Sequence, residues 1–542
     1  MKVKIDNHEL ELDEPTTIYH AAQDVGVEIP VMCYKEGHDY FTSCMICEVK
    51  DKTSGRVLPA CSASVEDGME IETQCEEIRE RRKSTLELLL SEHIGDCEAP
   101  CQRVCSIHSE IPLMIRQIKD GQMDDAIATI RRDMAIPAIL ERFCKAPCET
   151  GCRRSIHDEG VSIRNLTRYA AEWDLKREQP YLPPTKASSG KKVAVIGSGA
   201  TGLSTAYYLR MEGHEVTVME KAEKLGGRLL TEYNETQLPP WVIEGELKVL
   251  IGMEINLKTG VCIGRDISFD QLNEQYDSIL LACGKTETEA LSSWGLEVTE
   301  KGVLKMNPKT GMTSQQGIFA CGSVLTPQPS MLKLVQSSKS QALCISQFLH
   351  NEPIVGLVEM YNHKMGKLQE GEIDIFVSGA SPIDRVEPEH VEIEGYSKGE
   401  AEEETTRCMH CDCRAKDHCS LRIYSDEYGA KQTEFKGETR AKHEHVNQNA
   451  GAVYEPGKCI KCGLCVRVTK DEGEEFGFTF VGRGFDVKAG ISLNQTLDRG
   501  LEKVAEKVIE ACPTGALEEN EHYQPAEDEA SEDEEELSRT FD

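Results

Sequence analysis

Long apolar runs are missing from this chain. No stretch approaches the eighteen or so consecutive apolar residues that a membrane helix needs, so no membrane span is expected. The opening segment, MKVKIDNHELELDE, is charged at once and has no apolar core of the kind that marks a secretory signal. A cytoplasmic setting is the expectation. Positive charge is also short: 61 Lys and Arg face 94 Asp and Glu, a formal net charge of −33. That balance argues against nucleic acid, whose phosphates need basic surface, and against standalone binding to anionic lipid. Aromatics make up only 6% of residues, which suggests small polar modules rather than one large core. With 542 residues the expectation is roughly three to five domains.

Cysteine is plentiful by contrast, with 23 in the chain. Most fall in tight groups: Cys33/Cys44/Cys47/Cys61, Cys97/Cys101/Cys105, Cys144/Cys148/Cys152, Cys408/Cys411/Cys413/Cys419, and Cys459/Cys462/Cys465 with a distant Cys512. Thiolates this close along a chain reach one metal centre more readily than they pair as disulfides. In a reducing compartment such groups read as metal sites. The pattern points to several iron–sulfur clusters and to electron transfer.

The expected organisation is multidomain α/β and α+β. Residues 1–78 alternate apolar and polar over short runs and form a β-rich module; 79–180 carry helical periodicity between cysteine groups. A Pro/Ser/Gly linker, PYLPPTKASSGKK, precedes a strand–turn–helix–strand unit in 190–350. Residues 351–404 are a linker or excursion, 405–430 a four-Cys metal site, 440–520 a small module, and 521–542 a disordered acidic tail containing Glu527–Glu536.

Cys33-x10-Cys44-x2-Cys47-x13-Cys61 supplies the four thiolates of a [2Fe–2S] rhomb, two per iron. The set resembles the N-terminal [2Fe–2S] domain of the large iron–sulfur subunit of respiratory complex I and its hydrogenase relatives. A ubiquitin-like β-grasp is the fold that resemblance implies. Next, GDCEAPCQRVC and ERFCKAPCETGCRR resemble the helical two-cluster domain of the glutamate synthase small subunit and dihydropyrimidine dehydrogenase. The resemblance continues through IPLMIRQIKDGQMDDAIATIRRDMAIPAI and DEGVSIRNLTRYA. It implies two [4Fe–4S] clusters, one on Cys97, Cys101 and Cys152, the other on Cys105, Cys144 and Cys148. His93 stands where that family has its first cysteine, and Thr167 about where it has a Glu or Gln ligand. Six cysteines cannot supply eight ligands, so the fourth ligands stay open, with Cys75 as a spare thiol.

KKVAVIGSGATGLSTAYYLRMEGHEVTVMEK is a dinucleotide-binding unit. Gly197, Gly199 and Gly202, with Ala200 between, follow a strand and open a helix. The glycines allow the tight turn and let a pyrophosphate reach the positive helix end. Glu220 closes the second strand, where a carboxylate binds ribose hydroxyls. Gly227–Arg228 in AEKLGGRLL, YDSILLACGK, and GIFACGSV with Gly322 and Ser323 resemble the motifs of flavin disulfide-reductase-like domains. That resemblance implies FAD, although Ser323 stands where the family has an Asp for the flavin ribityl chain. About thirty residues separate Gly284 from Gly317, the size of a single βαβ unit. The NAD(P)H domain that these flavoproteins insert there is expected to be missing.

RCMHCDCRAKDHC offers four thiolates in twelve residues for an iron–sulfur cluster, with structural zinc as the alternative. GKCIKCGLCVRVT and ACPTGAL give Cys459, Cys462, Cys465 and Cys512 for one [4Fe–4S] cluster, with Thr469 where a bacterial ferredoxin run has its fourth cysteine. FGFTFVGRGFDVKAGISLN resembles the corresponding stretch of complex I and hydrogenase large subunits, and a ferredoxin-like domain follows.

Together the resemblances imply an iron–sulfur flavoprotein that relays electrons within a multisubunit oxidoreductase. One [2Fe–2S] cluster, three or four [4Fe–4S] clusters and FAD are its cofactors. The implied partners are complex I-type NAD(H)/flavin subunits and a hydrogenase, formate dehydrogenase or aldehyde dehydrogenase subunit, with ferredoxin as a further donor or acceptor and electron bifurcation within reach of the assembly. The alternative is a self-contained NAD(P)H- or ferredoxin-linked flavin reductase. No residue stands out as a catalytic acid, base or nucleophile.

Overall fold

The computed structural model describes residues 1–520 apart from 301, 326–329, 390–394, 436, 438 and 449, so the acidic run at Glu527–Glu536 lies outside the described residues. The chain forms two compact units and passes between them repeatedly. Unit 1 holds Met1–Glu98, Met360–Ile375 and the segment from Asp412; unit 2 holds Ala99–Glu359 and Phe376–Cys411.

Unit 1 begins with β1 (Lys2–Ile5), β2 (His8–Glu11), β3 (Glu48–Asp51), β4 (Val57–Pro59) and β5 (Glu70–Glu72), in the sheet order β2-β1-β5-β3-β4. β1 pairs antiparallel with β2 and parallel with β5. Alternation buries Val3 and Ile5 against the helix Ile18–Asp24, which Thr17 caps by accepting the His20 amide. The helix Glu76–Glu92 follows, with Ile78, Leu86 and Leu90 on its buried stripe. Arg82 on the same helix is buried, and donates to the Glu48 carbonyl and the Tyr428 hydroxyl, both at 2.9 Å.

Unit 2 has a helical part and a parallel sheet. The sheet consists of β6 (Lys192–Ile196), β7 (Glu215–Met219), β8 (Asn256–Lys258), β9 (Ser278–Leu281) and β10 (Ile318–Ala320), ordered β10-β9-β6-β7-β8. It is Rossmann-like: every strand pair is parallel, and β6 crosses to β7 through the helix Ala200–Met211. Between β9 and β10 the described residues hold one short helix, Thr288–Ser293, and isolated bridges, with no second parallel sheet.

Residues 351–404, expected as a linker, hold the helices Glu372–Val377 and Lys398–Thr405. Tyr396 and Ala401 from this stretch are buried in the core of unit 2. In unit 1, Glu372 is clamped by Arg440, at 2.5 and 2.6 Å, and accepts the His443 amide at 2.7 Å.

The helical part of unit 2 is tied to the sheet layer by ionic bonds buried from water. Arg131 donates to Asp174 at 3.1 Å and to Glu246 at 3.0 Å, all three side chains having 1% exposure or less. Glu246 also accepts the Ala138 amide at 2.8 Å, and the Tyr207 hydroxyl donates to the Arg131 carbonyl. Removing one partner would leave uncompensated buried charge. Arg131→Met is expected to cost about 3–5 kcal/mol of stability, read from denaturant unfolding. Arg440 and the Gln369 and His443 amides hold the Glu372 carboxyl down at about 2, against about 4.3 for a free Glu. Its stabilisation is therefore complete above about pH 4.3 and fades as pH falls towards the folded value. Amide exchange of residues 366–375 in unit 1 should accelerate over that window. Glu372→Gln should abolish the dependence.

Candidate iron–sulfur and nucleotide sites

Cys33, Cys44, Cys47 and Cys61 are 1–3% exposed and converge in unit 1. Hydrogen bonds from Cys44 and then Cys61 lower the Cys33 thiol pKa, and one from Cys61 lowers that of Cys47. Four of the tight cysteine pairs in the chain share a local device: a non-glycine residue with positive φ between the thiols. These residues are Met45 (+57°), Ala146 (+47°), His410 (+45°) and Lys461 (+56°). Such a residue is strained, at about 1–3 kcal/mol, and persists where the surroundings demand it. In two of the turns the amide of this residue itself meets the first sulfur: Ala146 N–H donates to Cys144 Sγ at 3.4 Å and Lys461 N–H to Cys459 Sγ at 3.3 Å.

In unit 2, Cys105, Cys144 and Cys148 line a narrow cavity of about 10 Å³ together with Glu141 and Thr167. The Thr167 hydroxyl is engaged, donating to the Ile163 carbonyl at 2.9 Å on its own helix. Glu141, which sequence reasoning did not single out, is buried in this pocket, and burial pushes its carboxyl up to about 8. Its signal was present, since ERFC puts it one helical turn before Cys144. Cys101 shares this core with Cys152, Cys408 and Cys411. Burial raises its thiol well above the ordinary value, and the neighbouring thiols of Cys152, Cys408 and Cys411 add to that.

Cys97 belongs to unit 1, apart from the Cys101 and Cys152 with which the resemblance groups it. There its carbonyl accepts the Cys413 amide at 3.1 Å, and its sulfur accepts the His363 amide at 3.4 Å. The four-Cys run is likewise parted: Cys408 and Cys411 end a segment of unit 2, while Cys413 and Cys419 lie in unit 1. His93 is half-buried, its Nδ1 is buried and unpartnered, and its ring packs 4.7 Å from that of His363. Burial holds the His93 pKa well below the usual imidazole value, so the ring is neutral, the form that ligates metal. Cys75 is half-buried at the N-cap of Glu76–Glu92.

Cys459, Cys462, Cys465 and Cys512 line one pocket of about 20 Å³ with Tyr454, Pro513 and Ala516. Thr469 pins its helix instead: it accepts the Phe478 amide at 2.9 Å and donates to the Cys465 carbonyl at 2.9 Å. The strand pairs β11 (Ala452–Tyr454) with β14 (Leu517–Glu519), and β12 (Phe478–Val481) with β13 (Lys488–Ile491), frame this module. Arg467 reaches from the helix Leu464–Asp471 to the Cys33 carbonyl at 2.8 Å, and Cys33 and Cys462 share one core.

The nucleotide cleft of unit 2 has a volume of about 510 Å³. Gly197, Gly199, Ala200, Glu220, Gly227, Arg228 and Ser323 line it. Gly197 has φ +104°, and a Cβ there would come within 2.5 Å of the Ala282 carbonyl oxygen. A Cβ on Gly202 would collide with the Gly197 carbonyl, so the turn and the helix can meet only through glycine. Burial works to raise the Glu220 pKa, but hydrogen bonds from the Ala222 and Ser198 amides and the Ser198 hydroxyl prevail, so the carboxylate stays ionised. Ser323 sits beside Gly322 in the single helical turn Gly322–Val324 that follows β10, and it accepts from Arg228 at 3.1 Å. Met331 lines this cleft, and the next residue, Leu332, lines the cavity of Cys105, Cys144 and Cys148.

Four family models match the chain. They are the 2Fe-2S iron-sulfur cluster binding domain over residues 1–76, dihydropyrimidine dehydrogenase domain II, 4Fe-4S cluster, over 72–179, pyridine nucleotide-disulphide oxidoreductase over 150–342, and the ferredoxin-like domain of NADH-quinone oxidoreductase subunit 3 over 453–518. The chain is a fusion of iron–sulfur and flavin-type oxidoreductase domains. The cofactors these domains indicate are [2Fe–2S] and [4Fe–4S] clusters and FAD. It is similar to the NADP(+)-dependent formate dehydrogenase subunit beta of Moorella thermoacetica, 37% identical over 34% of this chain and 29% of that protein. The NADPH-Fe(3+) oxidoreductase subunit beta of Geobacter sulfurreducens is 33% identical over 38% of this chain and 31% of its own length. The small chain of glutamate synthase [NADPH] from Bacillus subtilis is 35% identical over 33% of this chain and 36% of its own. The chain thus spans about a third of the length of these relatives. Among the described residues no helix is long and apolar enough to cross a membrane.

Glu220→Ala would leave the Ser198 and Ala222 amides without their acceptor, at a cost of about 1–3 kcal/mol. Flavin released per chain on denaturation should fall while iron per chain is unchanged.

Proposed function

We propose that the chain is an electron-relay subunit of a cytoplasmic multisubunit oxidoreductase. The observation that carries this reading is the pair Met331 and Leu332, adjacent on one helix, which line the nucleotide cleft and the Cys105–Cys144–Cys148 cavity respectively. A flavin in the cleft and a cluster in the cavity would be separated by little more than one helix face. Bound FAD supplies two-electron to one-electron conversion there. Glycines 197, 199, 202, 227 and 322 with Ala200 would make room for its phosphates and ring, Glu220 would hold the ribose, and Arg228 with Ser323 would face the ribityl chain. Glu141, which lines the same cavity as Cys105, Cys144 and Cys148, would supply the oxygen donor that completes this set.

Unit 1 supports the same reading. Its N-terminal sheet, ordered β2-β1-β5-β3-β4 with β1 parallel to β5, supports a β-grasp reading, and Cys33, Cys44, Cys47 and Cys61 would hold a [2Fe–2S] rhomb there. Cys459, Cys462, Cys465 and Cys512 would hold a [4Fe–4S] cluster in the ferredoxin-like module, close to Cys33 through Arg467. The partners would be an NAD(H)/flavin subunit of complex I type and a dehydrogenase or hydrogenase subunit. The relatives named as subunits beta support a role inside an assembly. The short connection between β9 and β10 is consistent with pyridine nucleotide being handled by a partner.

Full-length protein purified without air should contain about eighteen irons with matching sulfide, from one two-iron and four four-iron centres. Dithionite should bleach flavin and clusters, whereas NADH or NADPH alone should leave both oxidised. Prompt bleaching by NADPH or NADH without partners would establish the self-contained reductase instead. A zinc-rich, iron-poor preparation would refute the cluster reading.

A further inference from the structure

We propose that the run Cys408–Cys411–Cys413–Cys419 is two half-sites of two different clusters: Cys408 and Cys411 complete a four-sulfur set with Cys101 and Cys152, and Cys413 and Cys419 join Cys97 and His93 in another. The inference rests on the iron–sulfur reading above and assigns ligands within it.

The path of the chain is the first argument. It leaves unit 1 between Glu98 and Ala99, and it re-enters unit 1 between Cys411 and Asp412. Of its four crossings, these two fall between cysteines of one sequence motif. Each proposed set draws all its ligands from one unit: Cys101, Cys152, Cys408 and Cys411 from unit 2, and His93, Cys97, Cys413 and Cys419 from unit 1.

In unit 2, Arg154 lies two residues after Cys152 and donates to the carbonyl of Arg407, the residue before Cys408, at 2.7 Å. Arg407 in turn donates to the Glu159 carbonyl at 2.9 Å. These buried bonds hold the Cys408 segment against the Cys152 segment. Gly151 does the same for Cys101, since a Cβ there would collide with Val104 on the helix Pro100–Val104. The left-handed turn at His410 then brings Cys411 round beside Cys408.

In unit 1, the Cys413 amide is bonded to the Cys97 carbonyl at 3.1 Å. Arg422, one turn beyond Cys419, donates to Glu98 at 2.9 Å, so both cysteines of this half are anchored to the Cys97 segment. Three sulfurs leave one position open. His93 precedes Cys97 by four residues, and its buried Nδ1 has no partner.

Iron content of the unaltered protein is the same under either assignment, so substitutions decide. In full-length protein purified without air and reduced with dithionite, Cys101→Ser and Cys411→Ser should delete one and the same four-iron resonance. Cys97→Ser and Cys413→Ser should delete a different one. Each should lower iron by about four per chain, and Cys411→Ser with Cys413→Ser together by about eight. If Cys411→Ser and Cys413→Ser delete the same resonance and the double variant loses no more than either, the four cysteines form one site and the assignment is overturned. A measurement on unaltered protein guards against misfolded variants: pulsed resonance on protein labelled with ¹⁵N-histidine should show nitrogen coupling in one four-iron centre. Its absence from every centre would overturn the Cys97 set as assigned. Unaltered protein lacking iron would instead refute the reading on which the assignment rests.

Discussion

A thiolate buried away from water needs positive charge or hydrogen bonds to offset its desolvation, and most of the clustered cysteines are buried. Burial raises the thiol pKa at Cys97, Cys101, Cys105, Cys144, Cys148, Cys413, Cys459, Cys462 and Cys465. Left alone, these sites would hold neutral thiols. A polynuclear iron centre reverses the balance, because metal binding expels the protons and contributes its binding energy to folding. The strained turns between paired cysteines fit this account. At Ala146 and Lys461 the amide already points at sulfur, so little has to move there when the thiolate forms.

Segments far apart in sequence have to supply the ligands, and the rest of the scaffold follows from that demand. Buried ions do the joining. Arg131 locks its helix to the helices carrying Asp174 and Glu246. Arg154 and Arg407 lock the residues around Cys152 and Cys408, and Arg422 ties the Cys419 helix to Glu98. Each guanidinium offers several donors in a fixed fork, which suits it to hold carbonyls and carboxylates from separate segments at once.

The nucleotide site shows the opposite economy. It is local in sequence: β6, the glycine turn, the following helix and β7 with Glu220 form one continuous unit. Where it departs from the familiar pattern, at Ser323, the structure pairs the serine with Arg228. The glycine turn and Glu220 line the cleft, and the adjacent Met331 and Leu332 line the cleft and the neighbouring cysteine-lined cavity respectively.

Much of this was legible in residues alone. The thiol spacing, the glycine fingerprint and the alternation in β1 each reflect short-range geometry, which a sequence writes directly. The convergence of Cys459, Cys462, Cys465 and Cys512 was legible as well, because three of the four are near neighbours. What escaped was long-range. Thr167 sat at the expected ligand position, yet its hydroxyl is spent on its own helix and Glu141 is the carboxylate in that pocket. Residues 351–404 have a polar, irregular composition that hides their buried contacts. Spacing also joined Cys411 to Cys413, where the tertiary structure assigns them to separate units. Proximity along a chain fixes how near two sulfurs can come, but only packing of remote segments decides which sulfurs surround the same point.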